Sequence, residues 1–180
     1  MIKRILFITA TGLFALTLLI SPRKALGNIR HIYCGAGVPV AAINDTVPPA
    51  EVMNVIKAVI HSTDNFNIEA VAALYTPNAV VADDEPPYSW NGPTAGIQWV
   101  NAVEQVCKEN RLTKLKGSIE PINIYQQSTD NVYIVVPLSY TGSLPGGARF
   151  SAKGAFTFVL RLINGKWMIK SQVWMPKKGM

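Results

Sequence analysis

The hydrophobic period of this chain changes once, just after residue 110, and that change limits the fold more than any single motif. Up to that point apolar residues recur three and four positions apart; beyond it they alternate. Pro48 and Pro49 open a first helix to about Ser62, with Glu51 in its first turn and Val52, Val55, Ile56, Val59 and Ile60 on one face. A second, short helix is expected over about 67–75, with Ile68, Val71, Ala72 and Tyr75 on one side and Pro77-Asn78 ending it. Residues 79–82 read as a short strand and 83–93 as a loop with three prolines and a glycine. Thr94 is placed to cap a third helix reaching about Asn110, striped by Ile97, Val100, Val103, Val106 and Cys107.

The alternating half divides into strands at about 116–126, 131–141, 149–162 and 166–175. In the third, Phe150, Ala152, Gly154, Phe156, Phe158 and Leu160 share one face. Asn164-Gly165 is a strong hairpin signal between the last two strands. Helices followed by an antiparallel meander define an α+β class, with three N-terminal helices covering one face of a curved, mostly antiparallel sheet.

The N-terminus reads as an export signal. Lys3 and Arg4 precede an uncharged run over 5–20, and Ala25-Leu26-Gly27 offers small residues before a cut near Gly27. The run is shorter than the roughly 20 residues that span a bilayer, so a cleaved signal (1–27) is favoured over a retained anchor at 5–20. The expected localisation is periplasmic or secreted, with no stable membrane span after cleavage. Residues 28–47 form an irregular extension and 48–180 one domain.

The charge follows from this division. The chain carries 17 Lys or Arg against 11 Asp or Glu, but Lys3, Arg4, Arg23 and Lys24 lie in the signal; 13 basic residues then face 11 acids, a net of +2. That removes the case for a nucleic-acid partner, and Lys108, Arg111, Lys114 and Lys116 read as a solvated surface around a helix end. Cys34 and Cys107 are the two cysteines. In an oxidising compartment they are candidates for a disulfide worth roughly 3–5 kcal/mol; the alternative is that Cys107 is an ordinary buried thiol on a helix face. His31 and His61 have no ligand spacing to a cysteine or carboxylate, so no metal site is expected.

The stretch Ile68–Asp83, Asn91-Gly92-Pro93, the long helix with Ile97 and Trp99, and Asn164-Gly165-Lys166-Trp167-Met168-Ile169 together resemble the NTF2-like superfamily, in its SnoaL-like or ketosteroid-isomerase-like branch, over about 48–176. The resemblance implies a cone-shaped, cystatin-like half-barrel with an apolar pocket and homodimerisation through the outer sheet. It also places Asp83 where ketosteroid isomerases hold a general-base aspartate. The matching first-helix region around Ala58 and Val59 lacks the tyrosine donor of that pattern, which argues against steroid isomerisation.

Asp83 is therefore a candidate base, with a solvated cluster Asp83-Asp84-Glu85 as the alternative. Tyr75, Trp99, Tyr125, Tyr140, Gln172 and Trp174 are candidate ligand contacts, although alternation leaves open whether Lys170, Gln172 and Trp174 face inward; Lys153 is expected on a solvated face. Binding of a small apolar or amphipathic ligand is favoured over a cofactor-independent isomerase, dehydratase or cyclase using Asp83. A non-catalytic dimerisation or docking module is the third reading. Cofactors are not expected. The observation that separates the first two is the direction of the Asp83 side chain.

Overall fold

The structure, a computed structural model, describes residues 47–177. The signal, nearly all of the irregular extension, Cys34 and His31 lie outside the described residues. Two helices, two strands and a third helix precede five more strands, and all seven strands belong to a single sheet.

Helix α1 runs over Ala50–Asn65 and buries Val52, Ile56, Val59 and Ile60, the stripe expected from spacing. Phe66, in the left-handed region at φ 54°, ends it. Helix α2 is only Ile68–Ala72, with the Asn67 side chain accepting from the Ala70 amide as its cap.

The expected longer second helix gives way because Tyr75 opens strand β1 (Tyr75–Ala82). That strand pairs in parallel with β7 (Lys166–Pro176), and the Ile169 amide already donates to the Leu74 carbonyl at 2.7 Å. A sheet partner 94 positions away outweighs the local helical pattern. Pro77 and Asn78 fall where the β1–β7 register shifts, between Tyr75 and Val80.

The expected loop contains a short strand β2, Ser89–Asn91, which folds back on β1. Helix α3 covers Ala95–Glu109. Thr94 precedes it but does not cap it through its side chain; its hydroxyl instead accepts from Gln98 Nε2 at 2.7 Å.

The first expected strand is two: β3 (Thr113–Ile119) and β4 (Ile124–Gln127), each paired with β5 (Asn131–Ser143). Pro121, which has no N–H to give a ladder, lies in the break. Strands β5, β6 (Arg149–Ile163) and β7 form the antiparallel centre, and the order is β2-β1-β7-β6-β5-β3, with β4 beside β5 off this path. Asn164 and Gly165 both take positive φ, 51° and 75°, as a tight hairpin turn between β6 and β7 demands.

The core lies between the helices and the concave sheet face. Helix α1 packs on β3 and β7, and α3 on β1 and β2. Phe156, Phe158 and Leu160 of β6 point into it as expected, beside Ile134, Val136 and Leu138 of β5. No helix among the described residues is long and apolar enough to cross a membrane.

Gly96, in the first turn of α3, lets that helix close over Tyr75. A methyl group there would lie 2.1 Å from the Tyr75 ring. Gly96→Ala is expected to destabilise the fold by about 1–3 kcal/mol through overpacking, in spite of alanine's better helix propensity. Urea unfolding of the variant measures it.

Candidate functional site

One face of α3 (Trp99, Ala102, Val103, Val106, Cys107 and Asn110, spaced three and four apart) forms a wall of a cavity of about 500 Å³. The opposite wall is the curled end of the sheet, with Tyr140 of β5, Phe156 of β6 and Trp174 of β7; Asp83 and the residues after it close one side. The volume suits a small molecule. The aromatic lining is continuous. Trp99 meets Phe156 edge-on at 5.6 Å, Phe156 stacks obliquely on Trp174 at 4.9 Å, and Trp174 meets Tyr140 at 6.0 Å.

Asp83 leaves β1 half-buried, and both of its oxygens are held. Trp99 Nε1 donates to Oδ2 at 2.6 Å, and the Asp84 amide donates to Oδ1 at 2.8 Å. Burial pushes its carboxyl above the usual aspartate value. The Trp99 and backbone hydrogen bonds pull the other way, and the adjacent Asp84 pushes it up again. The carboxylate thus borders an apolar space and is less acidic than in water. Asp83 does not belong to a purely solvated cluster, although Glu85 beside it is exposed.

Tyr140 presents a phenol to the same cavity. Its hydroxyl lies 3.3 Å from Thr63 Oγ1 of α1. Burial raises it well beyond the ordinary tyrosine range; the Thr63 contact offsets part of this, and the charges of Asp64 and Asp83 add to the rise. It therefore stays protonated wherever Asp83 titrates. Cys107 lines the cavity as a buried thiol, raised by burial and then by the Glu104 charge. Its proposed disulfide partner, Cys34, lies outside the described residues.

Of the expected ligand contacts, Trp99, Tyr140 and Trp174 line the cavity together with Asp83. Tyr75 and Gln172 do not: both are buried one layer further in, where the Tyr75 hydroxyl donates to Gln172 Oε1 at 2.5 Å. Burial, and then proximity to Tyr140, keeps the Tyr75 phenol far above its normal value. Tyr125 lies on β4, hydrogen-bonded to Gln127 and away from the cavity wall.

The direction of the last strand is set by a bulge. The β6–β7 register shifts between Val159 and Leu160, skipping Lys170, whose Nζ reaches out to the Asn78 carbonyl at 3.3 Å. Gln172 and Trp174 thereby turn inward. Lys153 is exposed, with Nζ 3.8 Å from Glu120, and belongs to the rim of the cavity. His61 is exposed on α1.

Two further glycines shape the aromatic wall, and alternation gave no signal for them. A methyl group on Gly154 would stand 2.4 Å from the Met175 carbonyl and 2.7 Å from the Trp174 ring; one on Gly117 would stand 3.0 Å from Tyr140. Together with Gly96 against Tyr75, each makes room for one aromatic ring. A close-approach role of this kind depends on tertiary packing, so it is invisible in a period-two pattern.

No family model matches the chain, and no curated protein matches it. Solved structures do. LinA superposes with a TM-score of 0.62 at 14% identity, over 72% of this chain and 85% of LinA. A putative scytalone dehydratase from Novosphingobium aromaticivorans gives 0.59 at 12% identity over 71% and 83%. A ketosteroid isomerase-like protein from Erwinia carotovora atroseptica gives 0.56 at 19% identity over 72% and 95%. At these identities the likeness is one of fold, and the fold is NTF2-like, as its helices on a curved antiparallel sheet already indicate.

The raised Asp83 carboxyl has a consequence for stability. Between the ordinary aspartate value, near 3.8, and the raised one, the folded chain holds a proton that the unfolded chain has lost. Stability contributed by Asp83 is therefore greatest at low pH and falls as pH climbs through that window. Asp83→Asn should remove this fall, so that the variant gains on the wild type as pH rises above about 4. Trp99→Phe, which deletes the acid-strengthening bond, should move the Asp83 titration further upward. Urea unfolding across pH and carboxyl-carbon NMR check the two outcomes.

Proposed function

We propose that the chain binds a small apolar carbonyl compound in its cavity and that Asp83 acts as a general base on it, in a cofactor-independent isomerase, dehydratase or cyclase type of reaction. The observation that carries this reading is the Asp83 carboxyl: it borders a partly open, aromatic-lined cavity, its orientation is fixed by the Trp99 indole, and burial makes it more basic. A carboxylate exposed on a loop would favour binding alone; this position favours proton transfer.

A neutral Tyr140 on the same wall supplies a protonated partner within the field of Asp83. The names of the structural neighbours agree, since dehydration and ketosteroid isomerisation each move a proton from carbon. Under the export reading of residues 1–27, the reaction runs on side chains alone, without a cytoplasmic nucleotide cofactor.

The test is hydrogen–deuterium exchange at the methyl group of acetophenone in D₂O, followed by proton NMR. The wild type should accelerate it, and Asp83→Asn should lose roughly 10²- to 10⁴-fold of that acceleration. A variant within threefold of wild type would remove Asp83 from the chemistry.

A homodimer through the outer sheet belongs to the same reading. That face exposes Tyr133 at 42% and Met175 at 53%, with Ile124 and Val80 nearby in the ladder, which is more apolar surface than a solvated sheet face needs. Tyr133→Lys should shift the protein from dimer to monomer in sedimentation velocity. A wild-type monomer at micromolar concentration would contradict the dimer.

A further inference from the structure

Three of the side chains around the cavity are indoles: Trp90, Trp99 and Trp174. An indole N–H donates and never accepts, so the sense of any hydrogen bond it makes is settled. The donors of the lining differ in whether they are already engaged. Trp99 Nε1 is spent on Asp83 at 2.6 Å, and Asn110 Nδ2 on the Val106 carbonyl at 2.9 Å. The Tyr140 hydroxyl lies beside Thr63 Oγ1 at 3.3 Å. Ser151, Lys153 and Lys177 are exposed, where water solvates them. Trp174 stands apart. Its ring is half-buried in the aromatic wall, yet its Nε1 has no hydrogen-bond partner among the described residues. A tryptophan placed in this way ordinarily finds an acceptor for its N–H.

That N–H is not sealed in. Among the described residues the one enclosed side-chain nitrogen or oxygen without a partner is Gln172 Nε2, in the layer beneath. The Trp174 N–H is therefore reachable, and the open space beside this ring is the cavity. The ring itself is packed on three sides. Phe156 stacks on it obliquely at 4.9 Å, Tyr140 meets it at 6.0 Å, and Gly154 leaves the gap that its Cζ2 and Cη2 fill. An indole held like this offers its donor in one direction, and an acceptor meets it without reordering the protein. Phe156 also meets Trp99, at 5.6 Å, so one phenyl ring links the unpartnered indole to the one that holds Asp83. Trp90, on β2, is the competing donor; it makes no ring contact with this wall.

We propose that the Trp174 indole N–H is the donor for the ligand's carbonyl oxygen. This rests on the reading of the ligand as a carbonyl compound with Asp83 as its base. The proton leaves the carbon next to the carbonyl for the Asp83 carboxylate, the C–H electron pair forms the enolate double bond, and the carbonyl π pair moves onto the oxygen that the indole faces. A fixed N–H dipole stabilises that charge-bearing oxygen more than the neutral one.

The experiment compares acetophenone with α-methylstyrene, which differ only in an oxygen for a methylene. Each is titrated into protein labelled with ¹⁵N at its four tryptophan indoles, the signals being assigned by single Trp→Phe replacements. The two compounds carry the same phenyl ring, so a difference between them reports the oxygen. The Trp174 indole proton should move downfield with the ketone and not with the alkene. The wild type should bind the ketone about tenfold more tightly. Trp174→Phe, which keeps a ring and loses the N–H, should cut that preference below about threefold while holding α-methylstyrene within about twofold of wild type. It should also slow methyl exchange of acetophenone roughly 10²-fold. If Trp174→Phe does not fold, the wild-type indole signals decide alone.

A Trp174 signal that moves alike with both compounds, or a ketone-specific shift at Trp90 instead, overturns the proposal. So does a Trp174→Phe protein that keeps the preference; the indole then donates to water. The base is read separately: a ketone-specific Trp174 shift without Asp83-dependent exchange leaves the donor standing and removes Asp83. Failure of wild type to bind either compound removes both.

Discussion

The 2.6 Å hydrogen bond from the Trp99 indole to Asp83 joins the two halves of this fold at the place where they open around a cavity. Trp99 is nearly fully buried in the face that α3 turns to the sheet, so it cannot leave without exposing its ring. Asp83 sits where β1 ends, and β1 is itself held by β7 on one side and β2 on the other. One bond thus fixes helix, strand end and carboxylate together. It also sets the balance at the acid: burial raises the carboxyl and the indole lowers it, which leaves a base that is shifted yet still held in one orientation.

Around that bond the site is built by exclusion. The Phe156, Trp174 and Tyr140 rings line the space, and glycines at 117 and 154 on neighbouring strands give two of those rings room. Two polar groups among the aromatics differ in role, a basic carboxylate at Asp83 and a phenol at Tyr140 that holds its proton, while Asp84, Glu85, Asn110, Ser151, Lys153 and Lys177 complete the polar part of the lining.

Much of this was legible from local pattern. The helical stripe of α1, the inward face of β6 and the Asn164-Gly165 turn follow from spacing and turn chemistry alone. Asp83, Trp99, Tyr140 and Trp174 were identified from sequence as candidates and meet at one cavity. What escaped was non-local. Tyr75 changes from helix to strand because β7 lies beside it, and Lys170 drops out of phase because β6 and β7 shift register. Without that bulge, alternation could not say whether Gln172 and Trp174 face in. Tyr125 had the composition of a pocket residue but sits on a strand that pairs only with β5, off the cavity.

The claim at the centre is that a half-buried, indole-held Asp83 accepts a proton from carbon. The most direct measurement is the pH profile of enzyme-catalysed acetophenone methyl exchange, set beside the Asp83 titration followed by carboxyl-carbon NMR on the same protein. The rate should rise with pH along a single limb whose midpoint coincides with the Asp83 titration, above the ordinary aspartate range, and then level off. A flat profile, or a limb that does not track Asp83, would contradict the account.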